Sequence, residues 1–308
     1  MAIIRNPSAA GRFYPRFKGE LLDTIHENFV NSSFGLSHDL NLTTDNNGGD
    51  RKVLGGVSPH AGYMYSGSAT AHTIQEVFGQ KVPDTVIILG TQHTGYYEIG
   101  IMKEGAWKTP FGTLDIDTDL AIQLLKESKV VKEDDSAFNG FPHGREHNIE
   151  VQIPFIQYAA TKAQKSVKIL PIKIGKMNQN VLETLGKDIA SVLDSNNNKD
   201  IAIIASSDMT HYQPQNPRNP KEEILQIQHK RDEAVMEAFE QFNWQKTLEK
   251  ATDTSVCGPQ CIATLMIIGK EMGYTTAKKL QYYTSYEKIG GTGPSDYSVG
   301  YFSGIISR

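Results

Sequence analysis

Hydrophobic positions along the chain switch repeatedly between helical spacing and the unbroken runs of buried strands. Leu21, Leu22, Ile25 and Phe29 recur at helical spacing and predict a helix from Phe17 to about Val30. From Val53 onward, short apolar runs alternate with helical stretches. Val53–Val57, Thr85–Leu89, Val167–Ile172 and Ile201–Ser206 read as strands. The second is β-branched, nearly all apolar and bounded by Asp84 and Gly90, as suits a parallel strand buried on both faces. Leu114–Ile116 is a shorter candidate, and Tyr297–Ile306 alternates as a final strand. Between them, helices are expected from Ser66 as cap to Phe78, from Thr118 to Glu127 after Asp117, and over Val181–Leu193. Others are expected over Ile224–Phe239, over Trp244–Glu249, and from Pro259, a favoured first helical residue, to about Met272. Glu146–Tyr158 also reads as helical, with Pro154 kinking it or starting a second helix.

This strand–helix alternation predicts an α/β fold, a single layered domain over residues 1–308 with a largely parallel central sheet flanked by helices. No internal repeat or shift in composition marks a boundary. Residues 36–52, with Asn-Leu-Thr-Thr-Asp-Asn-Asn-Gly-Gly-Asp, have few groups able to build a core and read as a mobile surface loop.

Composition narrows the function classes. Apolar residues make up 39%, or about 48% once the 27 glycines are counted, which is ordinary for a globular protein and excludes disorder. Two cysteines in 308 residues exclude a disulfide-stapled scaffold and any four-cysteine zinc module, so a functional cysteine would act as a single thiol. Lys and Arg number 31 against 35 acidic residues without a long basic run, which argues against a nucleic-acid partner or an anionic membrane surface. No apolar stretch is long enough to span a bilayer, and the N-terminus lacks the apolar core of a signal peptide. The expected compartment is the cytoplasm.

Three strand candidates are each followed at once by a histidine: His60 after Val53–Val57, His93 after Thr85–Leu89, and His211 after Ile201–Ser206. Ligands of open α/β sheets bind outside the carboxyl ends of the strands. His60 and His93 are 33 residues apart, about one βαβ unit, so right-handed crossover brings their loops to one sheet edge. His211 joins them if its strand is a neighbour. Any one of these histidines alone reads as a loop residue bonded to backbone or water; the three together leave that reading and a shared site both open.

Cys257 precedes the helix opened by Pro259, while Cys261 lies in its first turn. A helix N-terminus depresses a thiol pKa and suits a nucleophile or metal ligand, so Cys257 stays open between function and packing, and Cys261 reads as a packing residue. In Pro142-His143-Gly144-Arg145-Glu146-His147-Asn148-Ile149-Glu150, His143 and His147 are four apart, a weak metal signal. Glu146, His147 and Glu150 read either as groups that orient ligands or as a solvated helix start. Ile289-Gly290-Gly291-Thr292-Gly293-Pro294 lacks the Lys-Ser/Thr ending of a phosphate loop and reads as a turn.

Several longer stretches together carry a resemblance. They are Asn6-Pro7-Ser8-Ala9-Ala10-Gly11-Arg12-Phe13-Tyr14-Pro15, Pro59-His60-Ala61-Gly62-Tyr63-Met64-Tyr65-Ser66-Gly67 and Leu89-Gly90-Thr91-Gln92-His93. Arg145 to Phe155, Ser206-Ser207-Asp208-Met209-Thr210-His211-Tyr212 and Val256-Cys257-Gly258 continue the series in order over nearly the whole chain. In these the chain resembles the Memo-like family, named after the animal mediator of cell motility. The resemblance implies a fold like that of the class III extradiol dioxygenases, non-haem iron enzymes that hold iron with two histidines and a carboxylate. It implies His60 and His93 as the histidine ligands and Cys257 in the carboxylate's place. His211 matches the acid/base histidine, with Asp208 beside it. A thiolate is softer than a carboxylate, which points to redox-active iron or copper, with zinc as a further alternative. The implied partner is a small-molecule ligand in the cleft or, as associated with animal Memo, a peptide. The resemblance thus leaves two functions: a metal-dependent, dioxygenase-like oxidoreductase, or a non-catalytic metal- or peptide-binding module.

Overall fold

The computed structural model describes residues 3–43, 50–93, 95–139 and 144–308. In chain order its strands are β1 (Ile4–Arg5), β2 (Val53–Ser58), β3 (Thr85–Thr91), β4 (Ile99–Ile101), β5 (Ala106–Thr109) and β6 (Gly112–Asp115). There follow β7 (Val131–Glu133), β8 (Gly144–Arg145), β9 (Lys168–Ile174), β10 (Ile201–Ser206), β11 (His211–Tyr212), β12 (Thr276–Thr284) and β13 (Ser298–Ser307). The main sheet runs in the order β11-β13-β2-β10-β3-β9-β4-β7, with β12 also on β13. A small separate sheet joins β1, β5 and β6.

The four central strands β2, β10, β3 and β9 are mutually parallel, as their continuous apolar runs predict. Antiparallel pairs flank them, β13 against β2, β12 and β11 against β13, and β4 against β9, while the edge strand β7 lies parallel to β4. Alternation along each strand supplies both faces of the sheet. Ile87, Leu89, Ile201, Ile203 and Ala205 enter one core cluster with the helices Gln179–Ser195 and Pro259–Glu271. Val86, Ile88, Ala202 and Ile204 enter the other, with the helices Lys18–Val30, Tyr63–Gly79 and Ile153–Lys162. Because both faces are covered, these strands need no polar side at all.

Two helix starts differ from the sequence expectation. The second helix begins at Tyr63 after Gly62, a turn before Ser66, whose hydroxyl instead donates to Ala61 O at 3.0 Å. Over Glu146–Ile149 the chain turns without forming a regular helix. A 3-10 turn over Glu150–Gln152 then leads into the helix Ile153–Lys162, with Pro154 in its first turn. The proline is tolerated in that first turn because its missing N–H would have no intrahelical partner there. Of the polar segment 36–52, residues 44–49 lie outside the described residues, as does His143.

Candidate metal centre

The site lies at the carboxyl ends of three adjacent strands. β10 pairs with β2 on one side and β3 on the other, so the residues after Ser206 lie between those after Ser58 and those after Thr91. His60 follows β2 by two residues and His93 follows β3 by two. Cys257 is delivered by the loop that ends at Gly258, the residue preceding the helix Pro259–Glu271. Its carbonyl accepts from Thr91 Oγ1 at 2.7 Å, and Gly258 N donates to Ser207 Oγ at 3.0 Å, stapling the helix start to the ends of β3 and β10.

His60, His93 and Cys257 each offer one ligand atom, and these atoms all lie within 4.8 Å of one another. Hydrogen bonding sets the tautomer of His60. The Ser206 hydroxyl donates its one proton to Asn148 O at 2.7 Å and accepts from Gln152 Nε2 at 3.1 Å. At 3.0 Å from His60 Nδ1 it can therefore only accept, so Nδ1 carries the hydrogen and Nε2 the lone pair. That lone pair faces Cys257 Sγ at 3.1 Å. The sulfur also accepts the Asp208 N–H at 3.2 Å, and Asp208 Oδ1 accepts the His60 N–H at 2.7 Å. Asp208 thereby locks both groups from one backbone position.

Burial disfavours charge throughout the cluster. Burial, followed by the neighbouring histidines, lowers His60 well below its ordinary value. Burial and then His93 push His147 down to about 4. Burial raises Asp208 to about 7 against the N–H groups of His60 and Ala61. The thiolate character expected of Cys257 is not found: burial and the Asp208 carboxyl push the thiol well above its usual value. Desolvation here outweighs the helix terminus, which is a partial charge only. A soft cation bound here would favour the thiolate, its charge offsetting the desolvation that keeps the proton on the sulfur. The donor set of imidazole lone pair, second imidazole and thiol fits such an ion.

The remaining sequence candidates fall around this cluster. His147 stacks on His93 with ring centroids 4.9 Å apart and meets His60 edge-on at 5.9 Å, while Phe13 covers it at 4.7 Å. Glu146 faces away: its Oε1 accepts Ile149 N at 2.6 Å, and burial raises its carboxyl to about 7. His211 lies beyond β10 and pairs through β11 with β13, and its Nε2 is buried without a hydrogen-bond partner among the described residues. Cys261 is wholly buried in the core. Sequence reasoning passed over Ser206, Asn148 and Gln152 as individual groups, although all three sit in the stretches that carried the resemblance. It missed Tyr297, whose hydroxyl lies 2.5 Å from His211 Nδ1 and which no motif marks.

Comparison with known proteins agrees with these stretches. Residues 5–305 match the family described as Memo-like protein. A MEMO1 family protein of Pyrococcus abyssi is 34% identical over 313 residues, covering 99% of this chain and 100% of its own. One from Pyrobaculum aerophilum is 36% identical over 310 residues, covering 99% of each. A third, from Saccharolobus islandicus, is 34% identical over 303 residues, covering 97% of this chain and 98% of its own. With its site residues assembled from segments spread along the matched length, the chain belongs to the Memo-like family.

Proposed function

We propose that the protein binds redox-active iron or copper through His60, His93 and Cys257 and acts as a dioxygenase-like oxidoreductase on a small oxygen-bearing molecule such as a catechol. The observation that carries this reading is the convergence of a lone-pair imidazole, a second imidazole and a thiol within 4.8 Å at the sheet's carboxyl edge. Three ligands leave coordination positions open, and a metal held so would bind and polarise the substrate's oxygens.

The chain's own groups have separable tasks. Ser206 presents His60 Nε2, and the Asp208 N–H steadies the Cys257 sulfur. His147 braces His93 by stacking. His211, with Nε2 buried and unpaired, is the acid/base group that would hydrogen-bond to a substrate oxygen, with Asp208 beside the cluster. Near-neutral net charge suits a compact, weakly charged ligand in place of a polyanion.

The test is metal analysis of anaerobically purified protein, then oxygen uptake with catecholic substrates. Wild type is expected to carry close to one iron or copper, lost in Cys257→Ala; no metal in wild type, or full metal in that variant, overturns the site. Uptake is expected to vanish in His211→Ala while metal stays bound. No catechol-dependent uptake by the metal-loaded wild type overturns the catalytic half and favours a binding module.

A further inference from the structure

Tyr297 stands just before β13, 45% exposed, with its hydroxyl 2.5 Å from His211 Nδ1 and its ring centroid 5.9 Å from the imidazole at 70°. The same imidazole presents its other nitrogen, Nε2, buried and with no hydrogen-bond partner among the described residues. The ring therefore has one nitrogen tied to a phenol at the surface and one free nitrogen held away from water.

We propose that Tyr297 is a positioning residue that fixes His211 in the Nε2–H tautomer, its phenol donating to Nδ1 so that the buried Nε2 carries the proton toward the ligand. A phenol is a stronger hydrogen-bond donor than a neutral imidazole N–H, and an imidazole nitrogen is a better acceptor than a phenol oxygen, so the pair adopts O–H to N. Which ring nitrogen is protonated follows from the bond the other makes. The backbone is fixed independently: His211 N donates to Ser255 Oγ at 2.8 Å, and that hydroxyl donates back to His211 O at 2.8 Å. Thr210 N is held by Asp232 at 2.9 Å, and Thr210 O by Gln228 at 2.9 Å. With the main chain pinned on both sides, the ring's remaining freedom is its rotation and its tautomer, and Tyr297 supplies the contact that acts on both. A phenol already holds its proton through neutral pH, and burial, followed by the Asp208 carboxyl, raises the Tyr297 hydroxyl further.

This inference rests on the reading of His211 as the acid/base group, but its test does not depend on turnover. Long-range proton–nitrogen correlation spectra of metal-free, full-length protein, assigned with His211→Ala, should show His211 with a protonated Nε2 and an unprotonated, hydrogen-bonded Nδ1. In Tyr297→Phe, which keeps the ring and removes the donor, the Nε2–H to Nδ1–H ratio should fall about five- to tenfold, the worth of one hydrogen bond. Unchanged His60 resonances will show that the fold is intact. An Nδ1–H tautomer in wild type, or an unaltered His211 spectrum in Tyr297→Phe, overturns the inference. Failure of catechol-dependent oxygen uptake overturns the catalytic reading alone.

Discussion

Replacing Glu150 by glutamine should loosen the N-terminal segment that closes one side of the site. Glu150 is wholly buried, and its oxygens accept from Ala9 N at 2.8 Å, Tyr14 OH at 2.7 Å, Ser8 N at 2.8 Å and Arg5 Nη1 at 2.7 Å. Burial pushes its carboxyl up, but Arg5 and the Ser8 and Ala9 N–H groups outweigh it and hold the carboxyl below its ordinary value. An amide in its place turns one oxygen into a donor facing donors and leaves the Arg5 guanidinium buried, with Glu146 as its nearest counter-charge at 3.9 Å. Breaking a buried pair costs roughly 3–5 kcal/mol. Part is returned, because Glu146 ionises more fully once the Glu150 charge beside it is gone, so the net loss is about 3 kcal/mol at the low end of that range. An unfolding entropy of about 2.1 cal/mol/K per residue over 308 residues converts this into a fall of about 5 °C in Tm. Glu150 has a depressed folded pKa, so its contribution is present above the usual carboxylate range and lost as pH falls through the folded value. Thermal melts at pH 7.5 and near pH 3 should therefore show the gap between wild type and variant closing in acid. A gap below about 1 °C at pH 7.5, or strictly additive losses in Glu150→Gln combined with Arg5→Met, would refute the reasoning.

Gly90→Ala would place a Cβ on Asn148 Oδ1 and the Ile149 side chain. Overpacking of this kind costs about 1–3 kcal/mol, and denaturant melts should register it together with a disturbed His93 loop. Asp117→Ala removes the cap that accepts Leu120 N at 3.2 Å, along with the acceptor for Thr85 Oγ1 at 2.6 Å. Urea titration should show a loss of about 1–2 kcal/mol at neutral pH. The loss should narrow as pH falls through the depressed folded pKa of Asp117, whose burial is outweighed by its hydrogen bonds and Lys199. Cys261→Ala should cost on the order of 1 kcal/mol of stability and leave metal content at the wild-type value, in contrast to Cys257→Ala.

What the sequence itself determined is what short-range pattern can encode. The runs Thr85–Leu89 and Ile201–Ser206 announce buried parallel strands because they are nearly all apolar and offer no polar face, and both strands form. The helix Thr118–Glu127 begins where Asp117 can cap it, and the helix after Cys257 begins at Pro259, each for a local backbone reason. The strand Thr276–Thr284 escaped this reading because it is an outer, partly exposed strand whose Lys278, Lys279 and Gln281 give no apolar signal. Tertiary structure alone decided the order β2-β10-β3, inserting a strand more than a hundred residues distant between the carriers of His60 and His93. It also decided that Ser206 sets the His60 tautomer, that His147 stacks on His93 from a turn, and that Tyr297 reaches His211. A histidine's place after a strand is fixed by its neighbours in the chain. The charge state of Cys257 and the direction of each ring nitrogen depend on burial and on hydrogen-bond partners brought together only when the sheet closes over its helices.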